Sequence, residues 1–80
     1  MTDIRGRYQI LNDSFLREKA ALLHDPRHKF YQVMISSKTY EEYLAQVGQA
    51  LVTVPTYKKG PISGRMEILY ARRHRWIADA

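Results

Sequence analysis

The stretch from Tyr57 to Trp76 constrains this fold most, because it carries the longest helical period in the chain. Ile62, Met66, Leu69, Tyr70, Trp76 and Ile77 fall along one side of such a helix, and that side has to be covered. Arg65, Arg72 and Arg75 project together from a neighbouring side, with Ile68 among them. Arg73 lands inside the apolar stripe. Either it reaches past Trp76 to water, or the helix docks through its first two turns and leaves its end for a partner. Ser63 or Pro61 is placed to open this helix, which is expected near 63–77.

The same stretch holds the protein's excess charge. Lys58, Lys59, Arg65, Arg72, Arg73 and Arg75 are opposed there by a single acid, Glu67. Six bases less one acid give +5, the formal net charge of the 80-residue chain. The other 7 of 13 basic and 7 of 8 acidic residues cancel. An excess gathered in this way speaks to the partner, not to the fold.

A chain of 80 residues makes one domain over 1–80, with a core small enough that a partner or a second copy adds stability. It is 45% hydrophobic and 11% aromatic, which separates it from disordered sequences. It has no cysteine, so disulfides, thiolate metal sites and cysteine nucleophiles are excluded. No run approaches the ~18 apolar residues of a membrane span, so a membrane partner is not expected. The N-terminus lacks the apolar stretch of a signal peptide. These features fit a cytoplasmic protein.

Residues 1–10 read as an arm: Arg5, Gly6 and Arg7 show no apolar period, though Tyr8, Ile10 and Leu11 offer packing at the entry to a helix. Asn12, Asp13 and Ser14 are consecutive candidate caps for a helix near 13–24. Leu11, Phe15 and Leu22 share one side of it, flanked by Leu16, Ala20 and Leu23. Lys19 falls between these rows, so it splits the stripe or snorkels. Asp25-Pro26 is a restart signal, with a second helix expected near 27–36.

His24 and His28 stand four apart, but Pro26 between them breaks the geometry of a metal pair, and no metal or other cofactor is expected. Residues 30–35 fit a strand by composition and a helix by spacing, and the Asp-Pro start favours helix. Thr39 followed by Glu42 is a capping box for a third helix near 40–49. Leu51 to Val54 has strand character and stops at Pro55. Its strand partner, if it has one, would be 30–35; otherwise 51–57 is an extended connector across the helices.

The expected fold is therefore mainly α, a small bundle of three to four short helices with an extended segment or short strand near 51–57. Arg65, Arg72 and Arg75 span ~15 Å of helix at ~1.5 Å per residue, enough to meet several phosphates. Lys58-Lys59-Gly60-Pro61 precedes the helix as a loop able to hold a phosphate backbone. It is not a nucleotide-binding P-loop, because the lysines precede the glycines. Tyr57 and Trp76 sit beside basic residues, where they suit stacking on single-stranded bases or an interface anchor. No strained elbow, paired carboxylates or metal spacing supports catalysis, so no enzyme is expected. A helix-turn-helix fits poorly, since the break from Gly48 to Ser63 far exceeds its turn.

The leading expectation is a nucleic-acid-binding module that uses Lys58, Lys59, Arg65, Arg72 and Arg75. The alternative is a protein-binding module, an inhibitor or assembly adaptor, docked on an acidic protein surface through Tyr70, Arg73 and Trp76. A third is a homodimer whose interface is the stripe containing Arg73.

Overall fold

Among the described residues, three of the four helices begin where a side chain accepts from a backbone donor of the first turn, and α2 begins after a turn closed by Asp25. The Asn12 carboxamide accepts from the Phe15 N–H and opens α1 (Asp13–Ala21). Asp25 accepts from the Arg27 backbone N–H and pairs with its guanidinium at 2.9 Å. Pro26 and Arg27 thereby form a turn, and α2 (His28–Ser36) starts one residue later than expected. Residues 30–35 are helical within it. The Thr39–Glu42 capping box starts α3 (Tyr40–Val47). Ser63 accepts from the Met66 N–H and starts α4 (Gly64–Arg73).

The computed structural model describes residues 4–80, and these form a mainly α domain in which short antiparallel strands tie the helices together. β1 (Tyr8–Ile10) pairs with β4 (Ile77–Asp79), Gln9 opposite Ala78. β2 (Leu51–Val52) pairs with β3 (Ile62–Ser63). α1 packs on α2, while α3 and α4 lie against α2 and each other. Among the described residues no helix is long and apolar enough to cross a membrane.

Three expectations are corrected. Residues 4–10 are not an arm: Ile4 and Tyr8 are buried, the Tyr8 hydroxyl donates to the Met34 carbonyl at 2.5 Å, and β1 is paired. Residues 1–3 of that proposed arm lie outside the described part. The partner strand comes from the opposite end of the chain, which no local period reveals. The segment at 51–52 finds its partner at 62–63 and not at 30–35, which is committed to α2. Finally, the last helix stops at Arg73, and 77–79 leave it to form β4.

The core is rich in tyrosine. Tyr31, Tyr40 and Tyr43 are fully buried beside Phe30, Leu16, Met34, Ile68 and Ile77. A buried phenol needs an acceptor, and each has one. Tyr43 donates to the Gly64 carbonyl at 2.7 Å, Tyr40 to Asp79 at 2.6 Å, and Tyr31 to the carboxylate of Glu67, itself buried. Within α1 only Leu16 is fully covered, whereas Leu11, Leu22 and Leu23 stay exposed. Lys19 snorkels, its ammonium 5.6 Å from the Phe15 ring centre and 6.0 Å from that of Tyr31.

Candidate nucleic-acid interface

α4 buries Gly64, Glu67, Ile68 and Ala71. That face lies nearly opposite the one expected from its large apolar residues: Met66 and Tyr70 are half exposed, while Ile68 is fully covered. Small residues explain the difference. Gly64 comes so close to the end of α3 that a Cβ there would sit 2.0 Å from the Val47 carbonyl oxygen. Glu67 can enter the core because Tyr31 donates to it. The helix is held by its small residues and one compensated acid, so Met66, Leu69 and Tyr70 are left to build something else.

The helix ends in a left-handed cap. The Trp76 N–H donates to the Ala71 carbonyl at 3.0 Å and the Arg75 N–H to that of Arg72 at 3.2 Å. Arg75 takes the left-handed conformation this requires, with φ of 63°, where glycine is the usual occupant. A left-handed conformation costs an ordinary L-residue ~1–2 kcal/mol. Arg75→Gly is therefore expected to stabilise the fold by about 0.5–1 kcal/mol after the added chain entropy is counted. Thermal melts of the two proteins check this, and a lower midpoint in the variant would contradict it.

The cap turns Trp76 inward. Its ring lies 4.6 Å from Phe15 and 6.3 Å from Tyr31, and its carbonyl accepts from the Leu11 and Asn12 N–H groups. Trp76 is thus a half-buried packing residue. It also supports the outer rings, with Tyr70 at 5.5 Å and His74 at 5.3 Å, and these two are 4.2 Å apart.

Beyond Trp76 the chain runs back as β4, and an open cleft of about 790 Å³ forms from α4, the Arg75 turn and β4. Met66, Leu69, Tyr70 and Ile77 supply its apolar surface, and Arg72, Arg73, Arg75 and Asp79 its charges. Asp79 accepts from the Tyr40 hydroxyl at 2.6 Å and from the Arg72 guanidinium at 3.0 Å. Burial and the Asp79 carboxylate together hold the Tyr40 phenol above its usual range. Arg72 also lies over the Tyr40 ring, 5.8 Å from its centre. Two of the cleft's charges therefore cancel, and Arg73 and Arg75 provide its positive excess.

The structure brings together Tyr70, Arg72, Arg73 and Arg75 of the residues singled out from the sequence. Arg72 is half-buried and ion-paired, so it is less available to a ligand than its position on the helix suggests. Arg65 is exposed on the first turn of α4, outside the cleft, and Lys58 and Lys59 are exposed in the connection between β2 and β3. Sequence reasoning missed Met66, Leu69 and Ile77 as cleft residues, and Asp79 altogether. Asp79 carried one available signal, since it is the only acid after Glu67 in an arginine-rich segment. Among the described residues no group of three or more His, Cys, Asp or Glu is placed to hold a metal. Compared with known proteins, the chain matches no family model, no curated protein and no solved structure.

Proposed function

We propose that this protein binds nucleic acid through the cleft at the end of α4. The observation that carries the proposal is the pairing of Asp79 with Arg72 and Tyr40, which leaves Arg73 and Arg75 as exposed cations on one surface with no ion-pair partner among the described residues. Guanidinium groups bind phosphate oxygens with two parallel hydrogen bonds and stay charged at any working pH. Arg75 holds a backbone conformation that favours glycine, so its side chain is kept at a local cost in stability. Arg65, Lys58 and Lys59 are also exposed, outside the cleft, and would hold the backbone beyond it. The role is binding, without catalysis.

Fluorescence anisotropy with labelled oligonucleotides at several salt concentrations tests this. The wild-type protein is expected to lose affinity linearly in log salt, by ~0.7–0.9 per phosphate neutralised. Arg73→Glu with Arg75→Glu is expected to weaken binding by at least about tenfold and to reduce the slope by about two contacts. Affinity that is flat in salt, or unchanged in the double variant, would refute the proposal.

A second reading, an acidic protein docked in the cleft, draws on the half-exposed Met66 and Tyr70. For such a partner Met66→Ala is expected to cost at least as much affinity as the loss of one arginine. Contacts to phosphate alone would be nearly indifferent to that change.

A further inference from the structure

We infer that the cleft takes an unpaired base, making single-stranded nucleic acid the preferred ligand over a duplex. The inference rests on the proposed function and specifies its ligand. Three features of the site lead to it. First, Tyr70 lines the cleft with its ring half exposed, and that ring is held against His74 at 4.2 Å and Trp76 at 5.5 Å. An aromatic side chain already fixed by its neighbours loses little freedom when a ligand stacks on it.

Second, Tyr70 shares the cleft with Met66, Leu69 and Ile77, while Arg73 and Arg75 are its net cations. Apolar and aromatic surface next to guanidinium groups matches a nucleotide, whose base has an apolar face and whose phosphate is anionic. The volume, about 790 Å³, falls within the ~300–1,000 Å³ of sites that seat small organic groups.

Third, the geometry disfavours duplex. Bases in a duplex offer only their edges, and a helix must enter the major groove to reach them. α4 would have to enter the groove with β4 lying against it and with Arg72 already engaged by Asp79. A flexible single strand can instead place one base in the cleft and run its phosphates past Arg73 and Arg75.

The test compares a labelled oligothymidine with a mixed-sequence duplex of equal phosphate count, against wild type, Tyr70→Ala, Tyr70→Phe and the Arg73→Glu/Arg75→Glu double variant. Circular dichroism confirms that each variant is folded. The single strand is expected to bind wild type about tenfold more tightly than the duplex, with Tyr70→Ala removing most of that difference and Tyr70→Phe preserving it. Arg73→Glu with Arg75→Glu is expected to weaken both ligands. Equal or tighter binding of duplex overturns this inference and leaves nucleic-acid binding intact. So does a Tyr70→Ala protein with undiminished single-strand preference. Binding of neither ligand overturns both.

Discussion

Titrated upward from neutral pH, this protein is expected to unfold in one cooperative step between about pH 10 and 12. The cause is the set of phenols in its core. Burial pushes the Tyr8 hydroxyl from an ordinary 10.0 up to about 12. Burial also raises Tyr31, helped by its hydrogen bond to Glu67, and raises Tyr43, with the Glu67 charge adding to the effect. In the unfolded chain these groups ionise from about pH 10. Their stabilising contribution is therefore complete below that value and is lost as pH rises through the folded values.

At pH 11, one unit above the unfolded value, each such phenol has forfeited on the order of 1 kcal/mol, so the three together forfeit roughly 3–4 kcal/mol. An 80-residue domain at ~0.05–0.15 kcal/mol per residue has about 4–12 kcal/mol in total. The loss is thus comparable with the whole stability. Tyr40 is raised as well, by burial and by its hydrogen bond to Asp79, and adds to the loss. Phenolate absorbance from Tyr8, Tyr31 and Tyr43 should appear only together with loss of the helical circular dichroism. Full phenolate amplitude in a protein that keeps its helices would show that these rings are not buried. Tyr43→Phe should make the pH dependence shallower.

Gly64→Ala is the substitution with the largest expected effect on the fold. The added Cβ would stand 2.0 Å from the Val47 carbonyl oxygen, 2.7 Å from its carbonyl carbon and 2.9 Å from Val47 Cγ2. Two of those three atoms are backbone, so no rotamer change relieves the clash. Nor is Gly64 free to retreat: its N–H donates to the Ala50 carbonyl at 3.1 Å and its carbonyl accepts from Tyr43. Relief requires moving the start of α4 away from α3, which breaks the Tyr43 hydrogen bond and opens the core.

The expected cost is about 3 kcal/mol or more. At ~4–8 °C per kcal/mol for a domain of this size, the melting midpoint should fall by more than about 10 °C. Oligonucleotide binding should fall with it, because the cleft is built on the same helix. A Gly64→Ala protein melting at the wild-type temperature would mean that α3 and α4 are not in close contact.

Much of the local structure was legible in the residues. Asn12, the Thr39–Glu42 box and Ser63 are short-range devices, complete within four residues, and each starts the helix it was expected to start. The break at Asp25-Pro26 is equally local. The helical period of 30–35 outweighed its strand-like composition for the same reason, because the turn before it sets the backbone on a helical course. Tyr8 and Ile10 alternate as a strand should, but β1 is three residues long and two members are too few to show a period.

The candidate site was legible in charge and not in shape. Arginines at 72, 73 and 75 must cluster on any helix that ends near them, so their proximity follows from order alone. Which of them meets a ligand does not. That depends on Asp79, which reaches Arg72 only after the chain reverses at Arg75 and pairs with β1.

By itself, the sequence determined where helices start, that the domain is mainly α, and that positive charge gathers near its end. These are matters of caps, periods and composition, settled by neighbours in the chain. Tertiary structure alone decided which side of α4 is buried, that 8–10 and 77–79 form a sheet, and that Asp79 pairs with Arg72 and not with Arg73 or Arg75. The physical reason is the same in each case. The deciding contacts join residues far apart in the chain: Gly64 to Val47, Tyr31 to Glu67, Tyr40 to Asp79. Close packing of small groups and pairing of buried polar ones have no period along the chain to announce them.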